Sequence, residues 1–298
     1  MTRKIAFLGT GLMGAPMANR LLDAGFDVTV WNRNSAKSAP FAEKGAKLAQ
    51  TAAGAAGGAD IVITMLTDGP AVRDVLFEQG VAAVLKKGST VIDMSSISPD
   101  FAREHAERLE AIGVNHIDAP VSGGVVGAEA GTLAFMVGGE DADFNEALPL
   151  LEVMGGRIVH CGGAGLGQAA KVCNNMVLAV SQIAVAEAFV LGEQLGLTHE
   201  ALYDVVANAS GQCWAITTNC PVPGPVPTSP ANRDYEPGFA GFLMNKDLGL
   251  AEQAISLTGV DAKMGMLARS IYAEYAAGEG AHRDFSGIIN TIRENSRA

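Results

Sequence analysis

Lys4-Ile5-Ala6-Phe7-Leu8 runs straight into Gly9-Thr10-Gly11-Leu12-Met13-Gly14, and helix-compatible residues continue to Ala24. A short apolar strand, a turn with glycine at its first, third and sixth positions, and then a helix make up the first half of a βαβ unit. Gly9 permits the tight turn, Gly11 lets the backbone approach a bulky anion, and Gly14 lets the helix pack close to the strand. The helix start brings amides and a partial positive charge to the same spot. Such a segment commits the chain around it to a parallel sheet, and the ligand it fits is the pyrophosphate of a dinucleotide.

The pattern downstream agrees. Short apolar, β-branched runs at 27–31, 61–65, 90–93, 116–118, 134–137 and 157–160 predict strands, and 12–24, 35–44, 69–77, 99–112 and 141–154 predict helices between them, with a short helix inside 51–59. That alternation gives an α/β, Rossmann-type doubly wound parallel sheet covered on both faces. Strand signals stop near Gly162. Residues 164–196 form one long helical stretch, apolar nearly all round, as a helix buried on every side would be. Further helices are expected at 198–209, 243–258, 263–277 and 285–293, with a Pro- and Gly-rich loop at 221–238. The reading is therefore a dinucleotide-binding domain at 1–162 and an all-α domain at 163–298 for substrate and oligomerisation. A length of 298 residues suits two domains at ~100–200 residues each.

Composition removes other classes. A net charge of −11 opposes nucleic acid and anionic lipid, and no basic patch offsets it. Cys161, Cys173, Cys213 and Cys220 show no metal-ligand spacing and are too sparse to staple a secreted fold, which favours a reducing, cytoplasmic setting. The apolar run Ile5 to Leu8 meets glycine at once, so no export signal is expected there. The stretch 172–191 approaches membrane length, but Asn174, Asn175, Gln182 and Glu187 interrupt it, and a buried helix is the expectation.

Four further segments carry chemistry. The second strand ends at Trp31-Asn32-Arg33-Asn34-Ser35, where an NAD site expects a carboxylate for the ribose. Arg33 can instead lay a guanidinium against a 2′-phosphate, with Asn32 beside it, which favours NADP(H) over NAD(H) while leaving NAD(H) possible. Asp118-Ala119-Pro120-Val121-Ser122-Gly123-Gly124 ends a predicted strand on the ligand-binding side of the sheet, and its two glycines can turn amides toward an anion. Lys171 lies near the start of the long apolar helix with Asn174 and Asn175 on the same face. Burial and the helix dipole both disfavour an ammonium there, moving it toward the range useful for proton transfer. Lys246-Asp247, taken alone, is an ordinary surface pair.

In this order, these segments resemble the β-hydroxyacid dehydrogenase family, its 3-hydroxyisobutyrate dehydrogenase branch most closely. The residues that carry the resemblance are Phe7 to Ala18, Asp118 to Gly124, Gly167 to Asn175, and Lys246-Asp247. It implies an oxidoreductase in which Lys171 is the general acid/base, Ser122, Gly123 and Gly124 hold the substrate carboxylate, and Asn175 fixes Lys171 and the reacting oxygen. It also implies that Gly9, Gly11, Leu12, Met13, Gly14, Leu66, Thr67 and Ser96 line the cofactor, that Lys246 reaches toward it, and that the chain forms a homodimer or homotetramer. NAD-using members carry Asp at the position of Asn32, so the resemblance points to the NADP-using branch. Within the family, 3-hydroxyisobutyrate and its semialdehyde are the expected substrate pair. Tartronate, glyoxylate or succinic semialdehyde reduction is the alternative, and the 220–239 loop is the segment expected to decide. Imine reduction is disfavoured by Lys171, and a non-catalytic NADP-binding module by the intact set of Lys171, Ser122 and Asn175.

Overall fold

The computed structural model describes residues 3–296, and contacts group the chain into two compact units, Met1–Lys171 and Val172–Ala298. The first unit holds the sheet. Its strands are β1 (Lys4–Leu8), β2 (Asp27–Trp31), β3 (Lys47–Leu48), β4 (Ile61–Thr64), β5 (Thr90–Asp93), β6 (Asn115–Asp118), β7 (Val121–Ser122), β8 (Leu133–Gly138) and β9 (Gly155–Gly162). Around them lie α1 (Gly14–Asp23), α2 (Ala52–Ala56), α3 (Gly69–Arg73), α4 (Val81–Val84), α5 (Pro99–Glu110), α6 (Gly124–Ala130) and α7 (Asp141–Leu151), and α8 (Leu166–Gln194) begins in this unit.

The spatial order is β3-β2-β1-β4-β5-β6-β8-β7, with β9 beside β8. β1 pairs in parallel with β2 on one side and β4 on the other, Ile5 facing Val28 and Ile61 in register. The chain order reverses across β1, so the loops after β1 and β4 diverge there and leave the crevice where such sheets bind ligands. Both faces are covered. Ile5, Phe7, Val28, Ile61 and Ile63 pack under Met17, Leu21, Leu150 and Leu151, whereas Ala6, Leu8, Val62 and Val91 pack under Leu76, Val72 and Leu109. Successive strand residues point to opposite faces, which is why β1 is apolar at every position from Ile5 to Leu8.

The sheet departs from all-parallel at one edge, where β8 runs antiparallel to β6 and β7. Only ten residues separate Ser122 from Leu133, fewer than the dozen or more that a parallel crossover needs. The helix expected at 35–44 is two 3₁₀ segments, Ser35–Lys37 and Ala39–Lys44, the second ended by Gly45 at φ 86°. The 69–77 helix is α3 followed by a π turn over Asp74–Glu78.

The second unit is helical among the described residues. After most of α8 come α9 (His199–Ala207), α10 (Trp214–Thr217), α11 (Gly241–Thr258), α12 (Lys263–Ala277) and α13 (Ile288–Asn295). Its core joins Ala179, Ile183, Ala186 and Phe189 of α8 to Met244, Leu248, Tyr272 and Phe285. α8 is long and apolar enough to cross a membrane by length and composition, with half of its most apolar window buried within the protein. The expected burial on every side is not what is found. Residues 179, 183, 186 and 190 make one inward stripe at helical spacing, and Val177 and Leu191 outside it are 60% and 61% exposed.

Candidate active site

The glycine turn after β1 has one open position and two closed ones. Gly9 adopts φ 110°, and a Cβ there would overlap the Met65 carbonyl oxygen, while a Cβ on Gly14 would overlap the carbonyl oxygen of Gly9. These two glycines let β1, β4 and α1 touch. At Gly11 a Cβ would meet nothing within 4 Å, so its backbone faces open space. Met13, the N-cap of α1, makes no side-chain cap to the helix amides, and the apolar Leu12 is 78% exposed. An open backbone at a helix start without a side-chain cap fits a dinucleotide pyrophosphate, which needs close approach and donors.

At the end of β2, the side chain that would greet a ribose is tied back into the turn. Asn32 Oδ1 accepts from the Thr10 amide at 3.1 Å, and Asn32 Nδ2 donates to the Asn34 carbonyl at 3.0 Å. Asn34 in turn caps Ser35–Lys37 through the Ala36 amide. The Thr10 hydroxyl donates to the Lys37 carbonyl at 3.1 Å, which fixes this loop against the glycine turn. Arg33, Ser35 and Lys37 are all exposed on it. The sequence reading missed Lys37; its signal is a second cation four residues beyond Arg33 on one short loop.

The loops after β4 and β5 lie beside this turn. Leu66 donates its amide to Ser95 Oγ at 2.9 Å, Thr67 is exposed, and Ser96 is half-buried between buried neighbours. Asp93 Oδ1 accepts from the Thr64 hydroxyl at 2.8 Å and the Ser95 amide at 3.0 Å, so both loops are anchored to the strand ends. After β6, Ser122 is half-buried, and Gly123 and Gly124 take φ 131° and 62°, backbone that a side chain would strain.

Lys171 is buried, 8% exposed, six residues into α8. The start of that helix is held by Asp118, whose Oδ1 accepts from the Gly165 amide at 2.7 Å and whose Oδ2 accepts from the Gln168 amide at 2.8 Å. Burial pushes the Asp118 carboxyl up to about 6, the two amides pulling the other way and Asp93 adding to the rise. Gln168 is fully buried; its Nε2 donates to the Ser95 carbonyl at 2.7 Å and its Oε1 accepts from the Ile97 amide at 3.1 Å. Sequence reasoning gave neither residue a role of its own, because their partners lie far away in the chain.

The first unit contains Gly9, Gly11, Leu12, Met13, Gly14, Asn32, Arg33, Leu66, Thr67, Ser96, Ser122, Gly123, Gly124 and Lys171. Asn175 and Lys246 belong to the second, where they meet at Asp247. Asn175 Nδ2 donates to Asp247 Oδ2 at 2.6 Å, Asn174 donates to Asn175 Oδ1 at 3.0 Å, and Lys246 Nζ lies 3.8 Å from the same carboxylate. At the end of the 221–238 loop, Asp284 accepts from the amides of Gly238 and Phe239, and within the loop Asp234 and Tyr235 hold φ of 50° and 55° without being glycine.

Comparison with known proteins places the chain. Residues 4–163 match the family model for the NAD-binding domain of 6-phosphogluconate dehydrogenase, and 165–292 match the NAD-binding model of NADP-dependent 3-hydroxyisobutyrate dehydrogenase. A probable 3-hydroxyisobutyrate dehydrogenase of Mycobacterium tuberculosis is 52% identical over 294 residues, 99% of each chain. The human mitochondrial 3-hydroxyisobutyrate dehydrogenase is 40% identical over 97% of this chain and 87% of its own. The M. tuberculosis 3-hydroxyisobutyrate dehydrogenase solved with L-serine superposes with a TM-score of 0.95, covering 98% of this chain and all of that one. The Psf3 structure in complex with NADP+ and 2-OPP gives 0.84 at 25% identity, covering 97% of this chain and 99% of that one. With both halves matched and relatives aligned end to end, the chain belongs to the β-hydroxyacid dehydrogenase family of oxidoreductases.

Proposed function

We propose that the protein oxidises a small β-hydroxy acid, 3-hydroxyisobutyrate foremost, to its semialdehyde, or reduces the semialdehyde, with NADP(H). The observation that carries this reading is the buried Lys171 in the same unit as the open glycine turn and the Ser122–Gly124 segment. The bound nicotinamide supplies the hydride acceptor in oxidation and the hydride donor in reduction. Lys171 takes the proton of the substrate hydroxyl in oxidation and returns it to the carbonyl oxygen in reduction. Ser122 and the amides of Gly123 and Gly124 hold the substrate carboxylate. Asn175, one helical turn beyond Lys171 and braced by Asp247, orients the lysine and the reacting oxygen.

NADP(H) is the preferred cofactor in this reading. Asn32 spends its oxygen on the Thr10 amide and brings no charge, and Arg33 and Lys37 stand exposed beside it for a 2′-phosphate. L-Serine, bound by the M. tuberculosis relative, is itself a three-carbon β-hydroxy acid, which supports that substrate class. Tartronate, glyoxylate and succinic semialdehyde belong on the same kinetic panel, since the 220–239 loop sets the choice. Self-association through the exposed apolar positions Val177, Leu191 and Leu195 completes the proposal.

Lys171→Ala tests the core of it. Turnover falls at least 10²–10⁴-fold, the usual scale for a positioned acid/base, while NADPH affinity changes less than threefold by fluorescence titration. Retention of most activity by that variant would move the proton transfer to another group.

A further inference from the structure

The start of α8 is wedged between strand ends with no room for side chains. A Cβ on Gly138 of β8 would reach 2.5 Å from Asp118 Oδ1, one on Gly167 would overlap the Met136 carbonyl oxygen, and one on Gly165 would come within 2.9 Å of the Pro99 carbonyl oxygen. Into this wedge Asp118 projects a carboxylate that is fully buried and binds two amides of the helix start. Beside it Gln168 uses both ends of its amide on the 95–97 segment, and Ser95 continues the chain of bonds to Leu66. Four segments therefore share one buried polar network: the loop after β4, the loop after β5, the end of β6, and the first turn of α8. A fully satisfied buried network is rigid, and breaking one member strands the others.

The two amides bind different oxygens, which only a carboxylate supplies: an Asn would turn its NH2 toward one of the N–H groups. The same choice leaves a buried charge at the start of α8. A charge in this place acts on other charges, and Lys171 lies three residues past Gln168, about 4.5 Å further along the helix axis. Asp93 on β5 and Cys161 on β9 lie within the reach of the same charge.

We propose that Asp118 and Gln168 are positioning residues for the proton-transferring lysine: both fix the helix turn that carries Lys171 against the 95–97 and 118–122 segments, and Asp118 also biases the amine toward its protonated form. This rests on the assignment of Lys171 given above. Gln168 contributes geometry without charge, and Asp118 contributes both, so their variants separate the two effects.

The test measures kcat, KM and the pH profile of semialdehyde reduction for the wild type, Asp118→Asn, Gln168→Leu and Lys171→Ala, with thermal unfolding and NADPH titration alongside. Reduction needs a protonated lysine, so activity is lost as pH rises through its titration. Asp118→Asn removes a negative charge near the amine, and the alkaline limb of kcat moves to lower pH by about half a unit to one and a half. Its kcat at the optimum falls about tenfold or more, while the Kd for NADPH stays within threefold because the glycine turn is untouched. Gln168→Leu lowers kcat by a similar factor and leaves the limb in place.

An unmoved limb in a folded Asp118→Asn, or a kcat loss no larger than its loss of folded protein, overturns the electrostatic role. An equal limb shift in Gln168→Leu overturns it as well. If Asp118→Asn gives no cooperative melt, Gln168→Leu decides alone, and a kcat above half of wild type overturns the positioning role. High activity in Lys171→Ala refutes the lysine assignment itself, a result separate from the other three.

Discussion

Two imidazoles buried in the sheet domain should set its acid limit. His105 on α5 and His116 on β6 lie with ring centroids 6.5 Å apart, His105 also 5.8 Å from both Phe77 and Phe101. None of their four ring nitrogens has a hydrogen-bond partner among the described residues. Burial lowers His116 from 6.5 to about 3 and His105 to about 4, and the guanidinium groups of Arg73 and Arg108 further disfavour charge on His105 although Glu104 favours it. Both folded-state values lie below the unfolded one. The stability these rings contribute is therefore complete above pH 6.5 and is lost as pH falls toward 4 and then 3.

At about 1.4 kcal/mol per pH unit, two protons taken up only by the unfolded chain cost about 2.7 kcal/mol per unit, or about 7 kcal/mol between pH 6.5 and 4. Asp118 works the other way. Its folded value is raised from 3.8 to about 6, so the native state gains about 3 kcal/mol as pH falls between those values. The net loss at pH 4 is about 4 kcal/mol, a large part of a typical domain stability of about 5–15 kcal/mol.

The assay is urea unfolding at fixed protein concentration from pH 7.5 to 4, read by the fluorescence of buried Trp31 in a Trp214→Phe background. His105→Leu with His116→Val removes both sites and should leave stability at pH 7 within about 1 kcal/mol, because no hydrogen bond is broken. Between pH 6 and 4.5 the parent loses about 1.4 kcal/mol per unit, whereas the double variant holds or gains. An unchanged slope in the double variant would refute the reasoning.

Three further outcomes are expected. Gly11→Ala should melt like wild type, since a Cβ there has open space, yet weaken NADPH binding at least tenfold; Gly14→Ala should lower Tm by several degrees because its Cβ overlaps the Gly9 carbonyl. NADPH should bind at least tenfold more tightly than NADH by titration, and Asn32→Asp with Arg33→Ser should reverse the order; equal affinities in the wild type would contradict the reading of Arg33 and Lys37. Light scattering should give a mass at or above twice 30.7 kDa at micromolar concentration, and Leu191→Glu with Leu195→Glu should reduce it toward the monomer.

What could be read from residues alone was whatever short-range physics encodes. The alternation in Ile5 to Leu8 and the spacing of Gly9, Gly11 and Gly14 act within a few residues, and β1, the glycine turn and α1 stand where that spacing puts them. Pairings between distant segments were not readable. Asp118 looked like the first residue of a substrate loop, yet its partners are Gly165 and Gln168, 47 and 50 positions on. Asp247 looked like half of a surface pair, but it is buried against Asn175, 72 positions back. Composition also gave α8 as uniformly apolar without telling which side the core takes, so the exposure of Val177 and Leu191 emerged only from packing.

The central place of β1 has a consequence for how the chain is made. β1 leaves the ribosome before both strands that flank it, and its second neighbour, β4, begins at Ile61. At about 5–20 residues per second, the 53 residues from Leu8 to Ile61 take several seconds to synthesise, so one edge of an apolar strand waits that long for its partner. Pairing over such separations is slow even once all the residues are present. A strand apolar from Ile5 to Leu8 is thus left with one edge unpaired through this interval, and the time before residue 61 emerges is when the nascent chain most depends on a chaperone to keep that edge from pairing elsewhere.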